Sequence, residues 1–247
     1  LGMARQTGVA DKMFRTLAAA GVNIQMITTS EIKISVLVEL SAAQTSLRAV
    51  HQAFQLDREL ADLAPLPAAE RGAADDHGHI AEMLRGVELE ELYIDAVRLD
   101  ESQSRVTIRS VPDAPGVAAQ VFEQIAADGV FVDMIVQNLG RDGRANLSFT
   151  VPREQLPAAL AAAEALAENL HGGQVTHSAN VAKLSVSGIG LRSHTGVAIR
   201  MFKALSAAGI NVDMINTSEV RVNVVVAGEA GAQGLAALNQ AFADILR

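Results

Sequence analysis

GLRSHTGVAIRMFKALSAAGINVDMINTSEVRVNVVV, from Gly190 to Val226, is matched without a gap by GMARQTGVADKMFRTLAAAGVNIQMITTSEIKISVLV, from Gly2 to Val38, at a constant offset of 188 residues. About 19 of the 37 positions are identical, well beyond what shared composition produces. A third, weaker copy, PGVAAQVFEQIAADGVFVDMIVQN from Pro115 to Asn138, keeps Gly116, Val117, Ala118, Phe122, Gly129, Asp133, Met134 and Ile135. It diverges where NTSEV gives way to VQNLGRDGR. The chain is therefore built from units of two kinds, a TSE kind at each end and a QN kind in the middle.

Each copy has the same physical pattern. In the last one, Ala182 to Ser187 alternates polar and apolar residues, the period of a half-buried strand, and Gly188 and Gly190 mark a turn. Thr195 is placed to cap a helix, along which Val197, Met201, Ala204, Leu205 and Ala208 recur at helical spacing until Gly209 closes it. Asn211 to Asn216 and Arg221 to Val224 read as further strands, and Ala230 to Leu246 as a second helix. The middle unit supplies all six pieces: strand Val106–Val111, helix Gly116–Ala127, strands Phe131–Asn138 and Asn146–Val151, helix Arg153–Leu170, and a strand near Gln174–His177. The order is βαββαβ, so the fold class is α+β: tandem ferredoxin-like units of about 70 residues, each an antiparallel sheet with helices on one face.

The domain reading is a first unit over 1–56 lacking its first strand, a linker over 57–87, a middle unit over 88–178 entered by a strand in ELEELYIDAVRL, and a last unit over 179–247 lacking its fourth strand. With Leu1 in place of an initiator Met, both ends read as cuts.

Composition narrows the function. Twenty Lys and Arg scattered among 28 Asp and Glu give a net charge of −8, which argues against nucleic acid. The absence of Cys excludes disulfides, thiol nucleophiles and Cys-bound metal, and fits a reducing cytoplasm. No apolar run reaches the ~18–20 residues of a membrane span. His51, His77, His79, His171, His177 and His194 fall in no metalloprotease spacing, and no phosphate-binding Gly loop precedes a Lys. The Gly188-Ile189-Gly190 run lacks the rest of a dinucleotide fingerprint and reads as a turn. Asp75-Asp76-His77-Gly78-His79 reads as a solvated linker run. No catalytic or metal-binding residue is expected.

A binding chemistry is more legible. The turns Pro112–Ala118 and Ser193–Ala198 each open a helix whose first N–H groups form a seat for a carboxylate. On the strand Phe131–Asn138, Asp133, Ile135 and Gln137 share one face, setting an acid and an amide on an apolar background. A carboxylate for an ammonium group, an amide and helix N–H groups together describe recognition of a free α-amino acid. Each polar residue, taken singly, reads equally well as paired within the protein.

With these strings in view, VTIRSVPDAPGVAAQVFEQIAADGVFVDMIVQN and KLSVSGIGLRSHTGVAIRMFKALSAAGINVDMINTSEVRVNVVV resemble the two ACT units in the regulatory region of aspartokinase (aspartate kinase). The resemblance covers nearly all the chain except the linker, and the second TSE copy points to members with duplicated ACT pairs. It implies a parent enzyme that phosphorylates aspartate with ATP and Mg, whose kinase segment is not among these residues. It also implies a feedback sensor binding lysine, threonine or both, attached to a kinase domain and assembled as a homo-oligomer through ACT sheets. Carried over by residue, it places the effector pocket at Asp113, Gly116, Ala118, Phe131, Val132, Asp133 and Gln137, faced by Val197, Ala198, Asn211, Val212, Ser218 and Glu219 of the last unit. Phe131 stands where the family usually has Asn. The matching first-unit residues Val9, Ala10, Asn23, Ile24, Ser30 and Glu31 would meet a QN unit outside this chain or serve assembly. Two alternatives remain: a separate ACT-type regulatory subunit and a structural assembly module, either without an attached kinase.

Overall fold

The computed structural model describes residues 9–30, 33–57, 93–139, 143–170, 173–191 and 196–246. Their elements in chain order are α1 (Val9–Ala19), β1 (Met26–Thr29), β2 (Ile34–Leu37), α2 (Ala43–Ala53), β3 (Tyr93–Asp100), β4 (Gln103–Pro112), α3 (Val117–Ala127), β5 (Ile135–Leu139), β6 (Arg144–Pro152), α4 (Leu156–Asn169), β7 (Gln174–Ser178), β8 (Val181–Ile189), α5 (Gly196–Ala207), β9 (Met214–Thr217), β10 (Arg221–Ala227) and α6 (Gly231–Phe242). The expected features at Glu31, Thr195, Asp75–His79 and 88–92 lie outside the described residues.

The chain divides into two compact units, one drawn from Leu1–Ala73 and Val106–His177, the other from Ala74–Arg105 and Ser178–Arg247. The first holds a six-stranded sheet in the order β2-β1-β5-β6-β4-β7. Within it β7-β4-β6-β5 is the complete ferredoxin-like middle unit, and β1 and β2 of the first unit extend the same sheet beyond β5. The register is antiparallel on both sides of β1, with Thr28 opposite Ser35 of β2 and Val136 of β5. Both ACT-like units bury one continuous core, in which Phe14 and Leu17 of α1 pack with Val121, Phe122 and Ile125 of α3 and with Phe149 of β6. The rings of Phe14 and Phe122 lie 5.5 Å apart and those of Phe122 and Phe149 5.8 Å apart, within the range of favourable aromatic pairing.

The second unit holds β3-β8-β10-β9, antiparallel throughout. Alternation along β8 and β10 sends Ala182, Leu184, Val186, Val222, Val224 and Val226 into its core, beneath α5 and α6. The strand read as the entry to the middle unit behaves differently: β3 pairs along β8 and buries Ile94 completely in the second core. It thereby fills the fourth-strand place that the sequence reading left for residues after Arg247. An apolar alternation records which face a strand buries and not which neighbour it finds, so ELEELYIDAVRL carries no mark of its partner.

The three repeats end their first helices alike. Val22, Val130 and Ile210 donate their N–H groups back to Leu17, Ile125 and Leu205, each after a glycine (Gly21, Gly129, Gly209) at positive φ. That is the six-to-one bond of a glycine-terminated helix, and it explains why this glycine survives in every copy.

Candidate functional site

The seam between the first and middle ACT-like units brings the site together. Beside the β1–β5 pairing, Gln137 is only 4% exposed, and its Nε2 donates to the Ile24 carbonyl at 2.7 Å. Its Oε1 is buried with no partner. Opposite, Asn23 Nδ2 donates to Asp113 Oδ1 at 3.0 Å, and the backbone N–H of Asp113 is held by the Gly143 carbonyl, also at 3.0 Å. Gly116 then opens α3 at φ 92°, a left-handed conformation open to glycine and strained for other residues.

Asn23, Ile24, Asp113, Gly116, Ala118 and Gln137 line one pocket between the two units. Its free space is about 10 Å³, room for roughly one water. The groups around it are complementary to a zwitterion. The first turn of α3 has N–H groups without intrahelical partners for a carboxylate, while the Asp113 carboxylate and Gln137 Oε1 are acceptors for an ammonium group. The Asn23–Asp113 and Gln137–Ile24 hydrogen bonds close the pocket as it stands.

A charged clasp spans the neighbouring helices. Arg15 of α1 meets Asp11 at 2.7 Å and Glu123 of α3 at 3.4 Å. Asp11 is buried, and that desolvation pushes its carboxyl above the usual range against the pull of Arg15, with Glu123 adding to the rise. The equivalent residue of the last unit, Ile199, is half exposed.

The expected site residues divide three ways. Asp113, Gly116, Ala118 and Gln137 are brought together, with Asn23 and Ile24 as their partners. The position beside β5 expected for the last unit is taken by the first, because β1 occupies that strand edge. Phe131, Val132 and Asp133 precede β5; Val132 packs on the core, and the Phe131 N–H donates to Gln155 Oε1 at 2.7 Å, a partner that sequence reasoning missed. In the last unit Val197 is buried in the second core with Ala198 packed against it. Asn211 and Val212 instead line an open groove of about 430 Å³ with Phe202, Ser206, Ile210 and Ile215, beside the outer strand β9. Ser218 and Glu219 lie in the bend between β9 and β10, where the Ser218 N–H donates to the Arg221 carbonyl. Of the first-unit set, Val9 and Ala10 begin α1, and the Ser30 N–H donates to the Lys33 carbonyl.

Among the described residues no cluster of three metal-ligating side chains occurs, and no helix is long and apolar enough to cross a membrane.

A sequence profile described as the ACT domain matches residues 1–54, 107–166 and 184–242. Aspartokinase of Pseudomonas aeruginosa is 40% identical over 154 residues, 62% of this chain and 37% of that protein. The chain thus spans well under half the length of the curated relatives it matches. Among solved structures, aspartate kinase from Synechocystis superposes with a TM-score of 0.79 at 32% identity, covering 98% of this chain and 38% of that one. The regulatory subunit of aspartate kinase from Thermus flavus gives a TM-score of 0.58 at 38% identity, covering 61% of this chain and 99% of that one.

Proposed function

Because the chain belongs to the ACT-domain family and is homologous to aspartokinase regulatory subunits, we propose that it is an amino-acid-sensing regulatory module of an aspartate kinase. In this reading an end-product amino acid, lysine or threonine, is held at the seam between the first and middle units. The observation that carries it is Gln137, almost fully buried, with an unpaired Oε1 and lining the same seam pocket as Asp113 and the start of α3. A buried acceptor without a partner carries a desolvation penalty of about 1–3 kcal/mol, which an ammonium ligand relieves. The similarity to a regulatory subunit matched over nearly its whole length supports a module that works as a body of its own. The phosphoryl transfer, with its ATP and magnesium, belongs in this proposal to the kinase.

Control then follows from linkage. The effector favours the seam with Asn23 and Gln137 released, and a kinase that favours one seam arrangement feels that preference as a coupling of ~1–3 kcal/mol. The groove at Asn211 and Val212 repeats the first-unit half of the pocket, since Phe202, Ile210, Asn211 and Val212 stand where Phe14, Val22, Asn23 and Ile24 do. It is the half-site at which this last unit would accept a further ACT unit in a larger assembly.

A second reading has its own observation: Asn23–Asp113 and Gln137–Ile24 already close the pocket, as an assembly module requires. Calorimetric titration of the chain with lysine, threonine, methionine and leucine separates the two. The sensor reading expects heat with lysine or threonine, and Asp113→Ala or Gln137→Ala weakens binding at least tenfold, about 1.4 kcal/mol. If no amino acid gives heat or raises the melting temperature, the assembly reading stands. Binding untouched by both substitutions removes the pocket assignment.

A further inference from the structure

Antiparallel pairing of β1 with β5 about Thr28 and Val136 gives this part of the seam an approximate two-fold symmetry, so the residues flanking the pairing at one end have counterparts at the other. The repeat alignment identifies the counterparts: Asn23 with Phe131, Ile24 with Val132, and Thr29 with Gln137. Two seats are therefore possible on symmetry grounds, one beside Asn23 and one beside Phe131.

The two ends are unequal. Beside Asn23, Gln137 leaves an acceptor open and the Asp113 carboxylate faces an amide that a ligand can displace. At the other end the Thr29 hydroxyl accepts from the Ile135 N–H at 2.9 Å and donates to the Asp133 carbonyl at 3.5 Å. The residue matching Asn23 is a phenyl ring without hydrogen-bonding groups, although both TSE copies, at Asn23 and Asn211, carry the amide. The backbone N–H of Phe131 is itself taken by Gln155 Oε1 at 2.7 Å, a close contact for a neutral pair.

We propose that the seam holds one amino-acid seat, beside Asn23, and that Phe131 and Gln155 close its symmetry mate. The inference rests on the sensor reading above and sets its stoichiometry: one effector per seam, bound in one orientation. Phe131 removes a donor and an acceptor from the second seat, and Gln155 satisfies the Phe131 main-chain N–H.

Calorimetry on the full chain, with whichever of lysine or threonine binds, measures the number of equivalents. One equivalent, lost on Asp113→Ala, is expected for the unaltered chain. The double substitution Phe131→Asn with Gln155→Ala is expected to raise it towards two. A second equivalent in the unaltered chain that disappears with Thr29→Val overturns the proposal, and this arm does not depend on the double variant folding. A second equivalent indifferent to Thr29→Val lies outside the seam and leaves the single seat standing. A double variant that folds as judged by circular dichroism yet still binds one equivalent removes the role given to Phe131 and Gln155. Absence of binding in the unaltered chain overturns the sensor reading and this inference together, whereas every other failure leaves the sensor reading intact.

Discussion

Phe14→Ala is expected to destabilise the chain by about 3–5 kcal/mol in urea unfolding followed by circular dichroism, the range for emptying a buried phenylalanine site. Phe14 is fully buried, and its ring faces Phe122 of the middle unit 5.5 Å away, so truncation opens a cavity shared by both ACT-like units. The β1–β5 pairing and the shared core hold the two units in place around it, which leaves little freedom to collapse onto the void. The counterpart in the last unit, Phe202, is only half-buried beside an open groove, and Phe202→Ala should cost clearly less. Equal effects at the two sites would contradict the sharing of one core by the first and middle units.

Gly188→Ala should cost about 3 kcal/mol, the upper part of the range for forcing atoms into a packed interior. A β-carbon there would sit 1.9 Å from the Tyr93 carbonyl oxygen and 2.9 Å from the Ile94 α-carbon. Both are backbone atoms of β3, so relief requires moving the strand. The register of β3 on β8 is also irregular at this point, between Ile94 and Ala96, as expected where glycine admits a close main-chain approach. Because the clash is with β3, hydrogen exchange should rise first over 94–100. A variant as stable as the parent would contradict the placement of β3 beside β8.

These two residues mark the limits of sequence reasoning. The repeat, the helix-closing glycines and the alternation along β8 and β10 were legible because each is a local pattern that one unit specifies for itself. Phe14 and Phe202 hold the same place in that pattern, yet one is sealed and the other half-open, since strand-edge pairing differs between the units. Glycine after an alternating run ends many strands, so Gly188 reads locally as a turn; it lies within β8, and its actual demand comes from a strand some 90 residues earlier in the chain. The same limit applies to the site. Asp113, Gly116, Ala118 and Gln137 were legible as a set, since they lie within one unit, while their partners Asn23 and Ile24 were assigned elsewhere. TSE copies that agree at 19 of 37 positions offer no ground for choosing which of them meets β5. Gln155 left no signal, being an ordinary polar residue just before a helix.

In the proposed sensor an amino acid is held at the seam between the first and middle units. Hydrogen exchange by mass spectrometry, with and without saturating lysine or threonine, tests it most directly. Added protection is expected over 23–29, 113–120 and 135–139, the two strands and the helix start around Gln137. Protection confined to 210–217 beside β9, or heat of binding with no change across the seam, would contradict it.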